Sequence, residues 1–234
     1  MPINSRRKGK RGELEVAGLL RRHGIPARRG VQYEGGGGSP DIRHALDAIV
    51  HFEVKLTTRI EIEDWYDQAA VDGAYRVPVV LHRISSRKLS TPWRATLSAA
   101  HLAMLLGHER WPDLERGSPR AIAGLTADLP LSVRIVQAHA LRFEREFGAA
   151  MVAATADRPA ALLHSRIEHD ALWMASLDAV ALLGLLVAYA EREYGYQSRI
   201  VEEYTPELER EYDVFWQTRR DLLARNLPLF KGVA

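Results

Sequence analysis

Four side chains of this sequence have the types and spacing that phosphodiester hydrolysis requires: Glu13, Asp41, Glu53 and Lys55. Ser39-Pro40-Asp41 is followed twelve residues later by Glu53-Val54-Lys55. Alternate residues of a strand share a face, so His51, Glu53 and Lys55 point one way and Phe52, Val54 and Leu56 the other. Asp41 and Glu53 are two hard oxygen donors of the kind that hold Mg²⁺. A metal held there polarises a phosphate and lowers the pKa of a nearby water. Lys55 can orient that water or offset the charge that builds on the phosphorus. Glu13 can complete the metal shell, and Gln68 can orient water or substrate.

The elements around these residues alternate in type. Lys10 to His23 reads as a helix with Leu14, Val16, Ala17, Leu19 and Leu20 on its apolar face, stopped by Gly24 and Pro26. Ala27 to Tyr33 reads as a strand, and Gly35 to Gly38 break regular structure into a flexible flap or a plain linker. Asp41 to His44 and Ile49 to Leu56 read as two antiparallel strands joined near Asp47, a hairpin that would bring Asp41 beside Glu53. A helix over Glu63 to Ala74 and strands over Val77 to His82 and Trp93 to Leu97 complete the order αβββαββ, an α/β (α+β) class with a mixed sheet flanked by helices. This domain is expected over residues 1–104. Residues 105–130, punctuated by Pro and Gly, read as its boundary. Segments 131–156, 160–195 and 205–226 then read as an all-α helical bundle domain over 131–234. No internal repeat is legible, and the four glycines are the one low-complexity tract.

Composition narrows the classes. Hydrophobic residues make up 47% of the 234 and charged residues 26%, ordinary for a globular chain. Cysteine is absent, which excludes a disulfide framework and suits a reducing cytoplasm. No apolar stretch follows the basic N-terminus, so no signal peptide is read. Residues 1–110 hold 18 Lys/Arg against 12 Asp/Glu and the rest 14 against 18, so +6 and −4 give the net +2. The positive part is the one expected to meet a polyanion. Ala171 to Ala190 is long and apolar enough to span a bilayer, yet Asp178 in its middle costs roughly 2.5–3.5 kcal/mol there. A central bundle helix explains the run without that cost, and no membrane is expected.

The ordered set resembles the PD-(D/E)XK nucleases, and within them the archaeal Holliday junction resolvases and their phage and prophage relatives. The resemblance runs through Lys8-Gly9-Lys10-Arg11-Gly12-Glu13-Leu14-Glu15, Arg28-Arg29-Gly30, Gly35 to Asp41, Glu53-Val54-Lys55 and Pro78-Val79-Val80, with Trp93 closing it. It covers residues 4 to about 100. It implies a restriction-endonuclease-like fold, Glu13, Asp41 and Glu53 as ligands of Mg²⁺ (with Mn²⁺ substituting), and Lys55 as the catalytic lysine. It also implies a homodimer acting on branched or otherwise structured DNA in recombination, repair or phage DNA processing. The second half extends beyond the minimal resolvase domain, and dimerisation or the docking of a protein partner would be its role.

Several candidates carry two readings. Arg6, Arg7, Lys8, Lys10 and Arg11 suit phosphate contact, with strong salt dependence, or a solubilising tail. Arg28 and Arg29 can clamp a phosphate backbone as bidentate donors. Tyr33 can stack on an unpaired base or pack in the core, and Ser39 joins the DNA-contacting set beside Asp41. His51 lines the site or serves structure. His164 with Glu168 and His169 reads as solvated helix surface, and Trp173, Phe215 and Trp216 as bundle core. The competing function is a non-catalytic DNA-binding or assembly module that keeps the nuclease fold, its acidic helical half engaging a protein.

Overall fold

The structure, a computed structural model, describes residues 5–30, 40–85, 91–107, 118–138, 141–155, 157–165 and 172–226. The class is α+β: a mixed six-stranded sheet flanked by helices, with a separate two-stranded sheet. The chain divides into two compact units, Met1–Thr91 with Leu186–Ala234, and Pro92–Leu185.

The first unit opens with α1 (Ser5–Arg22), which buries Val16, Ala17, Leu19 and Leu20 and leaves Leu14 outside the buried stripe. Gly24, at φ +79°, makes the left-handed turn that ends it, and Ile25 N–H closes back on the Leu20 carbonyl. β1 (Ala27–Arg29) and β2 (Ile42–His44) then pair antiparallel, Arg28 opposite Arg43. β3 (Val50–Thr57) pairs in parallel with β4 (Val77–Ile84), and α2 (Ile62–Gly73) is the crossover that a parallel pair needs.

The expected hairpin between β2 and β3 therefore does not form. Between them the chain coils, with Asp47 N–H on the His44 carbonyl and both Ile49 and Val50 N–H on that of Leu46. That coil turns β2 away from β3 and onto β1. The unit closes with α7 (Pro206–Gln217) and α8 (Arg220–Asn226), α7 capped by the Thr205 hydroxyl on Leu208 N–H at 3.3 Å. Two buried hydrogen bonds fasten this segment to the start of the chain: Trp216 Nε1–H to the Ala45 carbonyl at 2.6 Å, and Tyr196 O–H to that of Gly24 at 2.9 Å.

The second unit corrects the expectation of an all-α half. It contains β5 (Arg94–Ser98), α3 (Ala99–Leu105), α4 (Pro119–Thr126), β6 (Ser132–Gln137), α5 (Phe143–Val152), β7 (Ala160–Ser165) and β8 (Met174–Asp178). The strand order within it is β5-β8-β7-β6, with β6 and β7 parallel and the other two pairs antiparallel. α6 (Ala179–Tyr194) begins in this unit and ends in the first. The misreading has a physical cause: β7 is buried at every position and β8 at all but its last, so neither alternates, and a continuous apolar run looks alike in a buried strand and a buried helix. The apolar run ending at Ala190 is a five-residue strand followed by a helix, divided at Asp178, whose carboxylate accepts Val180 N–H at 2.9 Å. No helix among the described residues is long and apolar enough to cross a membrane.

Candidate functional site

β3 is the terminal strand of its sheet, so backbone donors on its outer edge need partners from outside the ladder. Val54 N–H finds one in Asp41 Oδ2, at 3.1 Å. The Asp41 carboxylate is thus brought to the Glu53-Val54-Lys55 segment by a side-chain bond to the strand edge, where a strand ladder was expected. Gly30 permits this. Its N–H donates to the Asp41 carbonyl at 2.8 Å, and a Cβ on it would lie 1.9 Å from the Pro40 carbonyl oxygen. Only glycine lets the end of β1 pass so close to the residue that precedes β2.

On the inner side, α2 supplies the other groups. Lys55 Nζ bridges Glu53 Oε1 at 2.5 Å and Gln68 Oε1 at 2.9 Å. Asp72 lies one helical turn beyond Gln68, and His51, Glu53 and Asp72 each bring a ligating atom within 4.8 Å of the others. His51 is 4% exposed, its Nε2 has no hydrogen-bond partner, and Gly73 leaves it room. From α1, Glu13 reaches in with its carboxylate paired to Arg29 of β1.

Electrostatics explain what such a set wants. Burial pushes the carboxyls of Glu13, Asp41 and Glu53 above their ordinary range. The bond from Arg29 holds Glu13 down in part, Val54 N–H does so for Asp41, and Lys55 for Glu53. The charge of Asp41 raises both glutamates in turn. Asp41 thus repels the glutamate on either side of it, and Arg29 and Lys55 offset that charge only in part. Of the three expected ligands, Glu53 alone belongs to the His51–Glu53–Asp72 group of ligating atoms; Glu13 and Asp41 are not in that group.

Four of the basic residues, Lys8, Arg11, Arg28 and Arg29, have protein partners. Arg6, Arg7, Lys8, Lys10 and Arg11 lie on the first turns of α1, so they are helical and not a tail. Lys8 Nζ donates to the Ser85 carbonyl at 3.2 Å, while Arg11 reaches the Ser85 hydroxyl at 3.0 Å and the Glu15 carboxylate at 3.5 Å. Glu15 also pairs with Arg83 at 3.0 Å, which leaves Glu13 as the helix carboxylate turned toward Asp41. Arg28 holds Glu209 of α7 at 2.6 Å, and Arg29 belongs to Glu13. Tyr33, Ser39 and the four glycines lie outside the described residues.

The chain matches no protein-family model, no curated protein and no solved structure. The geometry therefore stands by itself. Two members of the cluster escaped the sequence reading. Asp72 was signalled only by its spacing of four from Gln68, and Arg29 as the partner of Glu13 by nothing local. His164 is not the solvated helix surface expected of it, because it lies on strand β7 and not on a helix. It is buried with Nε2 3.0 Å from the Ser176 hydroxyl, and Glu168 and His169 lie outside the described residues. Trp173 and Trp216 are buried, in separate units.

Proposed function

We propose that this chain is a PD-(D/E)XK endodeoxyribonuclease that hydrolyses DNA phosphodiester bonds with Mg²⁺, and that branched or structured DNA is its preferred substrate. The single observation that carries the reading is the convergence of Asp41 on the Val54 amide, beside a Glu53–Lys55–Gln68 chain and across from Glu13. Asp41, Glu53 and Glu13 would hold the metal, which supplies phosphate polarisation and a more acidic water.

The chain's own residues do the rest. Gln68 and Glu53 fix the Lys55 ammonium, so its remaining N–H points at a phosphate oxygen or the attacking water. Arg29 keeps Glu13 ionised against its burial. In the reaction the water oxygen forms a bond to phosphorus and one ester P–O bond breaks. The water's proton passes to solvent, and the departing alkoxide takes one up. The first turns of α1, with Arg6, Arg7 and Lys10 exposed, are the surface offered to the phosphate backbone.

The test is cleavage of a matched panel (linear duplex, single strand, flap and four-way junction) in Mg²⁺ and in Mn²⁺, with Lys55→Ala as control. The expected result is cutting strongest on the branched substrates, reduced about 10²–10³-fold in the variant, the range for removing one charge-stabilising donor. DNA binding without hydrolysis in either metal would overturn the enzyme and leave a non-catalytic DNA-binding module.

A further inference from the structure

The sequence shows no repeat, but the element order does. α1, β3, α2, β4, β5 and α3 are followed by α4, β6, α5, β7, β8 and α6, the same six elements in the same order. β3 and β4 are parallel, as are β6 and β7. α1 packs on β3 and α4 on β6. β1 and β2 are inserted in the first copy, and α7 and α8 follow the second.

The correspondence holds to the residue. Buried Ile62, Trp65, Tyr66 and Ala69 of α2 match buried Phe143, Glu146, Phe147 and Ala150 of α5, each 81 positions on. His82, buried on β4, matches His164, buried on β7, and each touches an aromatic ring of the helix that precedes it, Trp65 and Phe143, though those two rings stand one turn apart in the alignment. Trp93-Arg94-Ala95-Thr96-Leu97-Ser98-Ala99 is echoed by Trp173-Met174-Ala175-Ser176-Leu177-Asp178-Ala179, 80 positions on.

β5 and β8 pair antiparallel with Thr96 opposite Ser176, so exchanging each residue for its equivalent returns the same ladder: Arg94 faces Asp178, and Ser98 faces Met174. The flanking bonds obey the same exchange. Ala99 N–H donates to the Trp173 carbonyl at 2.8 Å, and Ala179 N–H to the Trp93 carbonyl at 3.1 Å. On the local two-fold, the Thr96 and Ser176 hydroxyls are hydrogen-bonded at 2.6 Å. The same strand of each copy meeting its counterpart about a two-fold is the form of an isologous dimer contact.

The second copy lacks the chemistry. With β6 aligned 81 positions after β3, Arg134 stands at the place of Glu53, Val136 at that of Lys55, Ala149 at that of Gln68 and Ala153 at that of Asp72. α4 carries no acidic residue to match Glu13, and residues 127–131, which join it to β6, replace the β1–β2 insertion that brings Asp41. Arg134, at 2.6 Å, and Arg145 both bind Glu146, and the two bonds hold its carboxyl below the ordinary range, so that carboxylate is already compensated.

We propose that the chain is an internally duplicated pseudo-dimer with one live site, and that it engages DNA as a single chain and cuts one strand per binding event. This rests on the nuclease reading for the cut and on the duplication for the stoichiometry, and the experiment separates them. The full chain is sedimented alone, and its complex with a four-way junction is weighed by native mass spectrometry in EDTA. Supercoiled plasmid is then cut with Mg²⁺ under single-turnover conditions.

A 26.3 kDa species, one chain per junction, and nicked circle as the first product, with linear DNA arising only from it, are expected. Two chains per junction, or linear DNA appearing at the same rate as nicked circle, would overturn the proposal. An uncut plasmid would sink the nuclease reading, and the masses would still decide whether one chain does the work of two.

Discussion

At the scale of single residues, the raised carboxyls of Glu13, Asp41 and Glu53 tie stability to pH. A carboxyl whose pKa is raised on folding binds protons more tightly in the native state than in the unfolded chain. Its stability contribution is present at low pH and is lost as pH rises from about 4, the ordinary value, through the raised one. For Asp41, Asn keeps an oxygen for Val54 N–H and removes the charge that raises both glutamates. Asp41→Asn should therefore melt above wild type at pH 7.5 without metal, the gap closing toward pH 4. About 1 kcal/mol would appear as roughly 2–4 °C in a chain of this size. The difference between the two proteins is the quantity to read, because buried His101 and His164, held down at about 3, act in the opposite sense. A variant less stable than wild type at pH 7.5 would contradict this electrostatic account. Adding Mg²⁺ should raise the wild-type melting temperature and reverse the order, by mass action on the native state alone.

At the scale of elements, the prediction concerns how Asp41 is placed. Gly30→Ala changes no reacting group, yet its Cβ must push Pro40 and Asp41 away from the edge of β3. Cleavage and metal-induced stabilisation should fall together, by about ten-fold or more in rate, since displacements of about 1 Å cost up to 10²-fold. Loss of rate with the Mg²⁺ response intact would mean that Asp41 is not held this way. In the same unit, Trp216→Phe leaves the buried Ala45 carbonyl without its donor and should cost about 1–3 kcal/mol in urea denaturation. A value near zero would show that α7 is not fastened through that bond.

This scale also shows what the sequence made legible. The first seven elements follow the order read from periodicity, and the helix of Glu13 is stopped where Gly24 and Pro26 stand. The pairing of β2 was misread because a turn near Asp47 fits a hairpin and a helical coil equally well from residue types alone. The strands of the second unit were misread because burial on both faces erases their alternation.

At the scale of the whole molecule, the duplication escaped sequence comparison because so little of it is identity. Trp93 and Trp173 recur with their neighbours, but Trp65 against Glu146 share only burial and position, and Glu53, buried, against Arg134, exposed, share position alone. Selection that keeps a strand buried constrains shape and hydrophobicity far more than residue type. The candidate residues Asp41, Glu53, Lys55 and Gln68 could be picked out by type and spacing, because chemistry admits few substitutes for a carboxylate or an ammonium, and the structure brings them to one edge of β3. The most direct test is made on the full chain: Asp41→Asn against wild type on a four-way junction, measuring binding by anisotropy in EDTA and cleavage in Mg²⁺. Binding within a few-fold of wild type with cleavage reduced at least about 10³-fold is the predicted result. Cleavage at the wild-type rate would place the chemistry elsewhere in the molecule and contradict the account.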